Sequence, residues 1–155
     1  GYTYGISSGF RGGPELGSFR ISSEVNKEAT TDSIREVLGE LENYSSNGMT
    51  EDEYDYLQSA IGQREARSFE TPGAKLGLLS RILSHDLPLD YRKQQKTLLR
   101  ETDRETLNTL ASRLIHSDEM AIVVVGDLPE IQPDLESLGM PMKVLDEEGI
   151  EIAQP

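Results

Sequence analysis

Gly1-Tyr2-Thr3-Tyr4-Gly5-Ile6-Ser7-Ser8-Gly9-Phe10 is the stretch on which the fold class turns. Tyr2, Tyr4, Ile6, Ser8 and Phe10 alternate with Thr3, Gly5, Ser7 and Gly9, and a period of two belongs to a strand. A Gly/Pro-rich stretch over 11–17 reads as a hairpin loop. Residues 18–25 alternate again, with Phe19, Ile21 and Ser23 on one face and Arg20, Ser22 and Glu24 on the other. Two strands and a short loop predict an antiparallel hairpin. The hairpin starts with no run-up, so a first strand and helix are expected upstream of Gly1.

Beyond the hairpin the period becomes helical. Ile34, Val37, Leu38, Leu41 and Tyr44 form one apolar stripe, with Thr30 or Thr31 placed to cap the helix and Asn47-Gly48 to end it. Thr50-Glu51-Asp52-Glu53 is a capping box opening a helix from about 51 to 69, with Tyr54, Leu57 and Ile61, and Tyr56 as a further candidate, expected inside. Thr71-Pro72 starts a third helix carrying Leu76, Leu79, Ile82 and Leu83. Asp90 is placed to cap a fourth, through about Leu99. Thr102-Asp103-Arg104-Glu105 is a second capping box, opening a fifth helix with Leu107, Leu110, Leu114 and Ile115. Residues 120–125, MAIVVV, are apolar on both faces and predict a strand in the centre of a sheet. A short acidic helix over about 129–137 and a last strand over 142–146 complete the order, and the end of the chain reads as frayed. The class is α+β: a mixed or antiparallel sheet with one face covered by a layer of about five helices.

Composition limits what such a domain can do. The chain has 155 residues, one domain's worth, and is read as a single domain over 1–155. It carries 15 Lys and Arg against 28 Asp and Glu, a net charge of −13. That surface repels nucleic acid and anionic membrane, so neither is an expected partner. There are no cysteines, which excludes disulfides, thiol catalysis and thiolate metal sites. A cysteine-free domain suits the cytoplasm or the bacterial periplasm equally. No apolar run approaches the roughly 20 residues of a membrane helix.

Several stretches taken in order resemble one family. These are GYTYGISSGF and GSFRISSEV, then Thr30, Ser33 and Ile34, then Gly48-Met49-Thr50-Glu51-Asp52-Glu53. Ser68-Phe69-Glu70-Thr71, Leu87-Pro88-Leu89-Asp90-Tyr91, Val123-Val124-Val125-Gly126-Asp127 and the closing LGMPMKVLDEEG follow. Together they are similar to the pitrilysin/insulinase-type zinc metallopeptidases, the inverted zincins that include mitochondrial processing peptidase. No one of these motifs is specific; their order and spacing along nearly the whole chain carry the resemblance. In that family two halves close around a peptide as a clamshell. The amino-terminal half holds zinc on a His-x-x-Glu-His helix. The carboxy-terminal half has no metal and supplies an Arg and a Tyr to the substrate.

The resemblance implies that this chain is the later part of a carboxy-terminal-half domain, cut inside its own motif. Gly1-Tyr2-Thr3-Tyr4 matches the end of that motif, Tyr4 falls on the functional tyrosine, and Tyr2 is the alternative if the register differs by two. A phenol O–H there would hydrogen-bond the developing oxyanion beside zinc. The implied cofactor is none in this chain, with zinc in the partner half. The implied partners are the zinc-bearing half or a partner subunit and a peptide substrate. Self-association through open sheet edge or apolar surface is also expected. Relatives that have lost the zinc motif act as partner subunits or scaffolds, and this is the alternative reading. An unrelated α+β binding domain is a third. His116-Ser-Asp-Glu119 lacks a second histidine one turn away, and His85-Asp86 reads as a helix C-terminus, so both histidines are expected to be structural. The glycines of 9–17 precede no helix and no Lys-Ser/Thr, so they form no phosphate loop.

Overall fold

The computed structural model describes residues 3–12, 15–67 and 71–152, without the side chains of Tyr4 and of 62–67. The protein is α+β, and its described residues form six α-helices and a two-stranded antiparallel sheet. The strands are β1 (Thr3–Gly12) and β2 (Gly17–Val25), the expected hairpin. The helices are α1 (Thr30–Asn47), α2 (Glu51–Arg67), α3 (Pro72–Ser84), α4 (Tyr91–Glu101), α5 (Arg104–Leu114) and α6 (Leu128–Glu136). The chain divides into two compact units. One comprises 1–9, 20–39 and 120–155, the other 10–19 and 40–119.

In the first unit a 3-10 turn, Lys27–Ala29, leads into α1. This is why neither Thr30 nor Thr31 acts as the expected N-cap: both are buried, and the Thr30 hydroxyl reaches back to Asn26 O at 3.5 Å. The 3-10 turn lies against α6. Lys27 Nζ meets Glu130 Oε2 at 2.7 Å, and Arg35 Nη2 donates to Ser137 Oγ at 3.1 Å. The hydrogen bond between Lys27 and Glu130, reinforced by their charges, raises the lysine's pKa and lowers the glutamate's. Ile131 is the buried anchor of α6, and a Cβ on Gly126 would stand 3.1 Å from its Cδ1.

Residues 120–125 do not form the expected central strand. Among the described residues they belong to no strand, and Val123 and Val125 are 84% and 95% exposed. Apolar, β-branched side chains state a preference for a sheet interior, but a strand's hydrogen bonds come from its neighbours, and no described strand lies alongside. The last expected strand is reduced to one bridge, Leu145 to Glu151, inside a tight reversal. Asp146 Oδ1 accepts from Glu148 N and Ile150 N at 3.0 and 2.8 Å, with Gly149 at φ 80°. Residues 150–152, expected to fray, are therefore paired back onto 144–146.

The second unit is helical, and its helices start and stop where the sequence says. Thr50 and Glu53 form the capping box in both directions. Thr50 N donates to Glu53 Oε2 at 2.7 Å and Glu53 N to Thr50 Oγ1 at 3.3 Å. These Thr50 donors, the backbone N–H first, hold the Glu53 carboxyl below its ordinary value. Thr71 caps α3 through Ala74 N, with Pro72 at the first helical position. At α5 the expected Thr102–Glu105 capping box gives way to Asp103, which accepts from Thr106 N at 2.8 Å, because the Thr102 hydroxyl closes α4 on Leu98 O. Asp90 occupies the cap position of α4 without a capping bond and accepts instead from Gln94 Nε2. Among the described residues of this unit, Leu41, Met49, Ile82, Ala111 and Ile115 are buried apolar residues. Tyr56, the further candidate for the inside, is exposed, as are Leu76, Leu79, Leu83 and Leu114.

The C-terminus of α3 holds a correctable strain. Asp86 has φ 48°, a conformation that favours glycine, and Leu87 N bonds Ile82 O at 2.9 Å, closing a Schellman motif. Its carboxylate also faces the negative end of the helix. Asp86→Gly is expected to stabilise the protein by about 0.5–1 kcal/mol, read as a higher urea midpoint at unchanged slope.

Candidate functional site

The site proposed from sequence lies at the start of the hairpin. Tyr4 is the second residue of β1; its side chain, and all of Tyr2, lie outside the described residues. The backbone just after Tyr4 is closely held. Thr3 Oγ1 accepts the Gly5 N–H at 3.0 Å and lies 2.7 Å from Glu24 O, to which it can donate across the hairpin. Ser23 Oγ, 2.9 Å from Thr3 Oγ1, donates to Gly5 O at 3.0 Å. Gly5 itself stands at φ 144°, a backbone conformation that side chains rarely permit, in open space. Two short hydroxyl side chains thus hold both polar backbone groups of Gly5, the residue that follows Tyr4. The alternation predicted the strand but not this brace, whose signal is the Thr3/Ser23 pair facing across it.

Further along, the hairpin has little cover. Ile6 and Phe10 are 57% and 61% exposed, and the Phe10 and Phe19 rings meet at 4.8 Å. Along β2, Phe19, Ile21 and Val25 are the half-buried positions, so the inward face continues through Val25 while Ser23 serves the brace.

Both histidines sit at the C-terminal ends of helices of the second unit. His85 is the C-cap of α3, its N–H bonded to Arg81 O. His116 Nε2 lies 3.0 Å from Arg113 O, just past the end of α5. Among the described residues no three His, Asp or Glu side chains gather in a way that could hold a metal ion. No helix among the described residues is long and apolar enough to cross a membrane.

Depressions described in the helical unit include one of about 180 Å³ lined by Gln58, Ile61, Arg92, Gln95, Lys96 and Leu99. Another, about 390 Å³, is an open polar trough whose lining includes Ser45, Arg104, Glu105, Asn108 and Ser112. Among the described residues neither lining holds a histidine or two carboxylates. Comparison of the chain with protein-family models, with curated proteins and with solved structures returned no match.

Proposed function

We propose that this chain is the metal-free part of a zinc-dependent endopeptidase of the pitrilysin/insulinase type. It forms the far wall of the peptide chamber and contributes Tyr4 to binding of the substrate's scissile carbonyl. The observation that carries this reading is the order and spacing of the family-like stretches from Gly1 to Gly149. Two features of the hairpin support it. Tyr4 is followed by a residue whose N–H and C=O are both held by hydroxyl side chains, which limits how the strand can turn beside it. The apolar positions Ile6 and Phe10 beyond it are exposed, as the wall of a chamber for extended peptide would be.

The chemistry follows from the division of labour. Zinc, held in the other half, would supply an activated water for the peptide carbonyl. The Tyr4 hydroxyl donates to the carbonyl oxygen as negative charge grows there. The chain by itself is then inactive, and turnover depends on closure of the two halves. The test is to mix the chain with a zinc-bearing amino-terminal half of this family and follow cleavage of a fluorogenic peptide. The chain alone should give no cleavage and the mixture should give a chelator-sensitive rate. Tyr4→Phe should lower kcat/KM at least about tenfold with an unchanged melting temperature. Unchanged turnover in that variant would remove Tyr4 from the mechanism. A mixture in which the chain alters neither rate nor KM would overturn the peptidase reading and leave that of an inert partner subunit.

A further inference from the structure

The third helix is apolar on two sides. Ala74, Leu78 and Ile82 recur every fourth residue and are at least half covered, with Ile82 buried. Leu76, Leu79 and Leu83 form a second stripe on the other side and are 65%, 54% and 82% exposed. A soluble helix ordinarily needs one apolar stripe; a second, left in water, marks a surface made for a partner. The stripe spans two turns, about 10 Å, the footprint of a short helix lying across it.

Charge says what kind of partner. Residues 72–100 hold six of the chain's 15 Lys and Arg but only two of its 28 Asp and Glu. This stretch is therefore +4, while the remainder of the chain is −17. Helix α3 itself contains no acidic residue. Lys75, beside the leucine stripe, and Lys93 on α4 make no ion pair with any described residue. A second copy meeting α3 against α3 would bring like charges together. An anionic bilayer would feel the positive stretch but also, over its whole extent, the −17 of the rest. A short acidic peptide samples charges within about one Debye length, roughly 8 Å, and on α3 itself these are Lys75 and Arg81 with no carboxylate.

We propose that the Leu76–Leu79–Leu83 stripe of α3, set in the positive stretch 72–100, is a docking surface for an acidic amphipathic helix of a partner protein. Its leucines supply the contact area and its lysines select the partner's sign and register. This inference is independent of the peptidase reading, since it uses neither Tyr4 nor zinc.

The experiment titrates the whole chain into a fluorescein-labelled helical peptide of about 18 residues. The peptide carries leucines at i, i+3 and i+7 and glutamates on both flanks. A twin peptide has lysines in place of the glutamates. Saturable one-to-one binding of the acidic peptide is expected, at least about tenfold tighter than the twin and weakening with salt. Leu79→Asp/Leu83→Asp should weaken it at least about tenfold and Lys75→Glu/Lys93→Glu at least about threefold. All four side chains are exposed, so melting temperatures should stay as in the parent. Equal binding of both peptides, or unchanged affinity in the leucine variant, would overturn the proposal. Dimerisation lost in the leucine variant, or binding to phosphatidylglycerol vesicles with none to the peptide, would assign the surface to another occupant and overturn it equally.

Discussion

Gly48→Ala is expected to destabilise the protein by about 2–5 kcal/mol, the sum of two costs at one joint. Gly48 ends α1 at φ 69°, with its N–H on Tyr44 O at 2.9 Å. Any other residue in this left-handed conformation carries a penalty of about 1–2 kcal/mol. The second cost is steric. A Cβ at Gly48 would stand 2.3 Å from Asn108 Cγ and 2.6 Å from its Oδ1. Asn108 cannot step aside freely, because its Oδ1 accepts the Met49 N–H at 2.9 Å, and Met49 is buried. Arg104 Nη1 donates to Met49 O at 3.0 Å, so α5 holds both polar groups of that peptide residue. Displacing Asn108 leaves the Met49 donor without its partner, about 1–3 kcal/mol. A double-mutant cycle separates the terms. Asn108→Ala alone should cost about 1–3 kcal/mol by urea unfolding. In that background Gly48→Ala should cost only the conformational term of about 1–2 kcal/mol. Strict additivity of the two substitutions would show that the close approach does not matter.

Ile82→Ala should lose about 2–4 kcal/mol, while Leu83→Ala, one residue on, should change stability by no more than about 0.5 kcal/mol. Ile82 is 8% exposed and Leu83 is 82% exposed. Truncating Ile82 removes buried methylenes and opens a cavity under α3. The same truncation at Leu83 removes atoms already in water. Thermal or urea unfolding of the pair measures which side of α3 faces the protein. Similar losses at both positions would mean that the two stripes are packed alike, and would also remove the exposed surface on which partner docking rests.

The boundaries of the secondary structure were legible because their causes are local. Thr50 with Glu53, Thr71 with Pro72, and Asn47 with Gly48 each act within a few residues of chain, so the sequence reading and the structure agree on where α1 ends and where α2 and α3 begin. The hairpin was legible for the same reason: alternation and a Gly/Pro loop are short-range signals. The inward stripe of α1 was legible because only one side of that helix is apolar, and Leu41 is buried as expected.

Where a segment offered two apolar sides, the sequence stated a preference for burial without naming what would cover it. Leu76, Leu79 and Leu83 have the spacing of a core stripe, yet α3 packs through Ala74, Leu78 and Ile82. Residues 120–125 have the composition of a central strand, yet no described strand pairs with them. The candidate site divides in the same way: the position of Tyr4 in a strand follows from period two, whereas the brace that Thr3, Ser23 and Gly5 make beside it depends on hairpin register. By itself the sequence determined the helices, the hairpin and the sign of each surface, because caps, turns and charges act locally. The choice of buried faces, the grip of Asn108 and Arg104 on Met49, and the exposure of 120–125 were decided only in three dimensions, because burial and strand pairing depend on residues far away in the chain.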